Sequence, residues 1–213
     1  MKLSNWGVIE WQKTYGSQLD SLLKETAHFI QPSSDGGYIA AGYETSSPGQ
    51  MGALILKLFP DGQIEWQKSF KRDVPICANS ICLTSDGGTA VAGSGFNWDE
   101  GTGIWYLKLT PEGDMEWIKT FDREKKGAAY SIQPVDEGGY LVYAGIEGQY
   151  WWTDHFINVN RPLLLKLDSN GEIDAGISLY WHRKVKKDKE LRYHIVSVDF
   201  QNRESYPATI SVK

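Results

Sequence analysis

The chain predicts an all-β fold, a β-propeller of four-stranded antiparallel blades, and three observations carry that prediction. The phrase Gly7-Val8-Ile9-Glu10-Trp11-Gln12-Lys13-Thr14-Tyr15 returns as Gly62-Gln63-Ile64-Glu65-Trp66-Gln67-Lys68-Ser69-Phe70, and again as Gly113-Asp114-Met115-Glu116-Trp117-Ile118-Lys119-Thr120-Phe121. A second phrase, Asp35-Gly36-Gly37-Tyr38, returns as Asp86-Gly87-Gly88-Thr89 and Glu137-Gly138-Gly139-Tyr140, with first residues at 35, 86 and 137. Between the phrases lie short apolar runs bounded by Gly-rich turns. A period near 50 built this way is that of propeller blades, in a WD40-like or kelch-like architecture.

Each repeat parses into four strands, and the first repeat serves as the type: about 27–32, 38–43, 53–58 and 63–70. Ser33-Ser34-Asp35-Gly36-Gly37 joins the first pair, where glycine supplies the positive φ that tight hairpins demand. Phe59-Pro60-Asp61-Gly62 joins the last pair by the same turn chemistry. Copies of these turns stand at 84–88, 110–113, 135–139 and 168–171. Leu54-Ile55-Leu56-Lys57-Leu58, Ile104-Trp105-Tyr106-Leu107-Lys108-Leu109 and Leu163-Leu164-Leu165-Lys166-Leu167 are apolar at successive positions, so these strands are expected to pack on both faces.

Pairing centred on the Asp61 turn sets Lys57 opposite Glu65, and the same count sets Lys2 opposite Glu10, Lys108 opposite Glu116 and Lys166 opposite Asp174. Such cross-strand ion pairs contribute about 0.2–1 kcal/mol each and serve register rather than catalysis. Trp11, Trp66 and Trp117 read as residues packing one blade on the next, alongside the turn glycines Gly36, Gly37, Gly87, Gly88, Gly138 and Gly139 as structural repeat positions.

Residues 197–206 align without a gap on 131–140, although Glu204-Ser205 replaces the glycine pair. The expected blades are therefore about 25–70, 77–121 and 128–181, with a fourth assembled from 192–213 and 1–15. A single domain over 1–213 closes as a four-bladed ring when the C-terminal strands pair with the N-terminal strand, which removes exposed sheet edges. The alternatives are an open arc of about three blades that dimerises, and a piece of a larger propeller.

Composition bounds function. With Lys+Arg 22 against Asp+Glu 27, the net charge of -5 opposes nucleic acid as the main partner, which needs a cationic face. Arg183, Lys184, Lys186, Lys187, Lys189 and Arg192 form one basic stretch, read as a solvated loop. No apolar run approaches a membrane span and Met1-Lys2-Leu3 opens inside a repeat, so the expectation is a soluble chain without a leader. Cys77 and Cys82 are too few for a disulfide framework, and lying five apart in one strand they are expected on opposite faces as buried thiols.

The residues quoted above, with Gly36-Gly37-Tyr38-Ile39-Ala40-Ala41-Gly42 and Lys57-Leu58 through Phe70 nearest the pattern, resemble the uncharacterised bacterial and archaeal propeller-repeat proteins. Those are built on K-L-x-x-x-G-x-I-x-W-x-K-T-[FY] and D-G-G-Y-[IV]-x-A-G phrases. The resemblance spans nearly the whole chain. It implies the fold and, in many relatives, a cell-surface or extracellular setting, and it implies no reaction. Thr89 in place of the blade Tyr and Ala175 in place of the last Trp depart from the pattern.

Function on such a scaffold collects in the longer connections, expected at 43–52, 70–76, 94–103, 121–127, 146–161 and 182–192. Two of these combine aromatics with carboxylates: Trp98, Asp99 and Glu100 after Phe96, and Tyr150, Trp151, Trp152, Asp154 and His155. Such loops suit a protein interface, where Trp and Tyr anchors dominate the energy, or stacking on a sugar ring. The expected function is a non-catalytic binding scaffold for a protein partner, with carbohydrate as the alternative ligand. No cofactor is expected, since His28, His155, His182 and His194 lack metal-ligand spacing and Gly93-Ser94-Gly95 lacks the context of a nucleophile elbow.

Overall fold

The computed structural model describes residues 1–16, 24–47, 50–97, 101–121, 127–136, 138–152, 155–184, 192–197 and 208–211. The described residues form strands and turns without a helix, in four antiparallel sheets. β1 (Lys2–Leu3) and β2 (Ile9–Trp11) make a two-stranded sheet. The first four-stranded sheet runs β3 (Lys24–Pro32), β4 (Tyr38–Ser47), β5 (Gln50–Leu58), β6 (Ile64–Phe70), and the second runs β7 (Ile76–Leu83), β8 (Thr89–Asn97), β9 (Gly101–Leu109), β10 (Met115–Phe121). A six-stranded sheet follows in chain order: β11 (Gly127–Pro134), β12 (Tyr140–Trp152), β13 (His155–Leu167), β14 (Ile173–Lys184), β15 (Arg192–Ser197), β16 (Ala208–Ser211). No helix among the described residues is long and apolar enough to cross a membrane.

Seven tight turns among the described residues obey one rule. The fourth residue, a glycine, donates its amide to the carbonyl of the first, and the amide of the first bonds to the carbonyl of the fifth, at 4–8, 33–37, 59–63, 84–88, 110–114, 135–139 and 168–172. Those glycines have φ between +72° and +83°, which an L side chain resists. The second glycine of each pair answers a different constraint. A Cβ on Gly37 would sit 2.1 Å from the Leu58 carbonyl oxygen, and one on Gly88 would sit 2.2 Å from that of Leu109. The doubled glycine thus combines a positive φ with a close approach to the third strand.

Bulges recur with the repeat. Register slips at Ala27/Phe29, Ala78/Ser80 and Ala129/Ser131, so His28, Asn79 and Tyr130 are extra residues at equivalent places. On the second sheet the bulge works as an anchor. The Asn79 amide nitrogen donates to Ser94 Oγ at 2.7 Å and to the Ala129 carbonyl at 2.8 Å, and the Ile132 amide donates to Ser80 Oγ at 3.2 Å.

The second sheet is packed on both faces, as its apolar strands require. Trp105, Leu107 and Leu109 of β9 join Ile39, Ala41, Ala53 and Ile55 of the first sheet. The alternate residues Ile104 and Tyr106 join Val142, Leu163, Leu165 and Leu167 of the six-stranded sheet. Trp105 is fully buried, and its indole nitrogen has no hydrogen-bond partner among the described residues, a cost set against the large apolar area of the ring.

A clasp joins each sheet to the next. Trp11 lies on Gly62, whose Cβ would fall 2.9 Å from the ring, and donates its indole N–H to the Pro60 carbonyl at 3.1 Å. Trp66 covers Gly113 and donates to the Pro111 carbonyl at 3.3 Å, and Trp117 covers Gly171. Two residues beyond each Trp a lysine meets an acid of the same turn: Lys68 pairs with Asp114 at 3.0 Å, Lys119 with Glu172, and Lys13 attracts Asp61.

Among the described residues β15 adds to β14 and β16 to β15, while β1 pairs with β2. Two expectations are corrected. Three of the six expected long loops are largely strand: β4/β5, β8/β9 and β12/β13 extend to within a few residues of each other, favoured in the last by Ile157, Val159 and aromatics of high β-propensity. Arg183 and Lys184 end β14 and Arg192 begins β15; the rest of the basic stretch lies outside the described residues. The Asn79 bulge resets the alternation of β7. Ile76 and Ala78 before it and Ile81 after it all face the first sheet, which leaves Cys77 and Cys82 on the same side rather than opposite ones. Both thiols are buried and free.

Replacing Gly88 by Ala drives a methyl into a backbone carbonyl and is expected to cost about 1–3 kcal/mol. Gly103→Ala, whose Cβ would meet nothing closer than Thr120 at 3.9 Å, is expected to leave stability within about 0.5 kcal/mol. Urea midpoints of the two variants check this.

Candidate functional site

The turns that open strands β4 and β8 place a serine or threonine, an aspartate and a glycine pair directly above the penultimate lysine of the third strand. Asp35 accepts the Gly37 amide at 2.8 Å, takes the Ser33 hydroxyl, and pairs with Lys57, which also donates to Ser33 Oγ at 2.7 Å. Asp86 accepts the Gly88 amide at 2.9 Å, takes the Thr84 hydroxyl, and pairs with Lys108 at 2.8 Å. Lys108 is buried, with its side chain 3% exposed, and its ammonium also reaches Glu116 at 3.0 Å and the Leu109 carbonyl at 3.0 Å. An ammonium removed from water requires this saturation, since a single unpaired buried charge would cost several kcal/mol.

The expected Lys–Glu pairs are present for Lys2–Glu10, at 2.7 Å, and for Lys108–Glu116. They do not arise from facing register. Lys2, Lys57 and Lys108 stand opposite Trp11, Trp66 and Trp117, and Glu10, Glu65 and Glu116 are the extra residues of a bulge. Lys57 pairs with Asp35. The expected Lys166–Asp174 pair falls on a side chain outside the described ones.

Between the first and second sheets these turns frame a cavity of about 370 Å³, lined by Ser33, Asp35, Lys57, Glu65 and Trp66 on one side and Thr89 and Glu112 among others on the opposite side. Its carboxylates and hydroxyls suit hydrogen bonding to a polar group. Its one lysine is already neutralised by Asp35. Hydrogen bonds from Lys57, Ser33 and Gly37 outweigh burial and hold the Asp35 carboxyl at about 2. Burial pushes Asp86 up, but Lys108, Thr84 and Gly88 outweigh it and hold it at about 2 as well. Burial pushes the Cys82 thiol up to about 12 and raises Cys77, so neither is an activated nucleophile.

Of the residues singled out in the sequence, Tyr150, Trp151 and Trp152 lie in β12 and His155 in β13, where Trp151 stands opposite Phe156, Trp152 opposite His155 and Tyr150 opposite Ile157. Trp98, Asp99, Glu100 and Asp154 lie outside the described residues. Phe96, which precedes Trp98, lies in β8 of the second sheet, whereas Tyr150, Trp151 and Trp152 lie in the six-stranded sheet. His28 packs edge-on against Tyr43 at 5.5 Å, and His194 stands opposite His182 in the β14–β15 register. No group of three or more metal-ligating side chains occurs among the described residues. The aspartate–lysine pairing was not read from the sequence, although Asp35–Lys57 and Asp86–Lys108 share a separation of 22 residues that marks it.

A carboxyl held below its ordinary value of 3.8 binds its proton less readily in the folded state, so its stabilisation is present above about pH 4 and is lost as pH falls toward about 2. The half-exposed aspartates contribute no more than about 1 kcal/mol each after solvent screening. The Asp35→Asn/Asp86→Asn variant is expected to be less stable than wild type at pH 7 and to converge on it at pH 2, measured by urea midpoints across that range.

Searches against protein-family models and against curated proteins give no match to this chain.

Proposed function

We propose that the chain is a single-domain propeller-type scaffold, with blades β3–β6, β7–β10 and β11–β14, that binds a protein partner through the β12–β13 hairpin. Support for blades comes from the same Trp–Gly clasp at successive junctions and from the two-sided packing of the second sheet. Support for the binding role comes from one observation. The β12 and β13 strands are 13 residues each against 9 for β8 and β9, and the added length carries Tyr150, Trp151, Trp152, His155 and Phe156 at adjoining register positions. Residues of this type supply large contact area at small entropic cost, which makes them interface anchors. The two strands pair through a thirteen-pair register, and regular strands hold a binding constellation better than loops do.

The test compares wild type with Trp151→Ala/Trp152→Ala as bait in affinity purification from the source cells, followed by binding of each recovered protein in pure form. A direct partner whose affinity drops at least tenfold in the double variant is the expected result. Equal binding by both baits overturns the assignment to the hairpin. Binding to a glycan array that disappears in the variant transfers the hairpin to a carbohydrate ligand.

A further inference from the structure

Two of the indoles that lie on turn glycines are met edge-on by a tyrosine of the sheet they join. Trp11 meets Tyr38 at 5.8 Å between ring centroids, and Trp117 meets Tyr140 at 6.2 Å. Each tyrosine directly follows the glycine pair of its sheet. Trp66 lies on Gly113 of the second sheet in the same way, but the residue after that sheet's glycine pair is Thr89. No aromatic ring meets Trp66 among the described residues. The cavity of about 370 Å³ lies at this junction, with Trp66 and Thr89 both in its lining. A phenol missing from one of three equivalent junctions accounts for its position. Thr89 is 3% exposed, so the cavity reaches the packed interior, and its volume falls in the range of small-molecule sites.

The same junction also lacks a cation that its counterparts have. Glu10 and Glu116, which stand where Glu65 stands, hold Lys2 at 2.7 Å and Lys108 at 3.0 Å. Lys57 is instead turned to Asp35 and to Ser33 Oγ, the latter at 2.7 Å, and Glu65 has no ion pair among the described residues. Glu112 lines the cavity too and has none there either. With Lys57 and Asp35 cancelling each other, Glu65 and Glu112 leave an excess of negative charge beside an indole, whose ring face attracts cations. A neutral ring would fill the space without using the carboxylates, and a small ion would use the carboxylates without covering the indole.

We infer that this cavity is a binding site for a small aromatic amine. Its ring takes the place of the absent tyrosine against Trp66 and Thr89, and its ammonium donates charge-assisted hydrogen bonds to Glu65 and Glu112. The inference rests on the junction of the first two sheets and not on the role of the β12–β13 hairpin.

Isothermal titration calorimetry at millimolar concentration tests it with tyramine, which joins a phenol to an ammonium. The controls are p-cresol, a neutral ring, and ethylamine, an ammonium without one. Wild type is expected to bind tyramine at least tenfold more tightly than either control, and less tightly as salt rises. Thr89→Tyr restores the ring found at Tyr38 and Tyr140, and is expected to keep the circular dichroism of wild type while losing tyramine affinity at least tenfold. Glu65→Gln/Glu112→Gln changes exposed side chains and decides the matter if Thr89→Tyr does not fold; it is expected to bring tyramine down to the affinity of p-cresol. No heat from tyramine, or equal binding of tyramine and either control, overturns the inference. Undiminished binding by either folded variant overturns it as well, by placing the ligand elsewhere.

Discussion

An indole lying on a glycine is the contact on which the rest depends. The turn can accept it only because the glycine has no side chain, and the glycine is already required there by its positive φ. One residue thus meets a conformational demand and a packing demand together, and the sheet that owns the turn is fixed to its neighbour without covalent help. Lysine–acid pairs two residues along add orientation more than energy. Register within a sheet and stacking between sheets are therefore coupled: a slip of one residue in β6 would remove Trp66 from Gly113 and Lys68 from Asp114 at once.

Buried lysines give the turns a second function. Lys108 sits beneath a loop whose aspartate, hydroxyl and glycine amides are already bound to one another, and its ammonium ties that loop to the strand below. Such an arrangement resists loosening, because opening the turn would leave an ammonium in an apolar surround. The hairpin ends are consequently firm on this side of the sheets. Variation is left to the opposite ends, where the second and third strands of each repeat extend to different lengths.

What the residues disclose before folding follows from how local each constraint is. The strands of the repeats and their turns are legible because turn chemistry and apolar runs are written in consecutive residues. The bulges at His28, Asn79 and Tyr130 are not, since an extra residue in a strand has no compositional mark, and missing one reverses the assigned face of everything beyond it, as happened for Cys77 and Cys82. Long connections read as loops because Gly and polar residues interrupt them, yet cross-strand pairing from Ile146–Arg161 to Trp152–His155 carries the ladder through. The aspartate–lysine pair at the cavity escaped for another reason: its members lie on different strands, and only their repeated spacing links them.

The clasp also runs in one direction along the chain, each indole preceding the turn that receives it, as Trp11 precedes Pro60 by 49 residues. On a ribosome adding roughly 5–20 residues per second, Trp11 therefore waits about 2–10 seconds for its seat to be synthesised. Each sheet leaves the exit tunnel with an adhesive surface already displayed, and each new sheet arrives to cover it. Assembly in this order is templated from the first strand onward, and translation speed becomes a determinant of how long each aromatic surface stands open to the wrong partner.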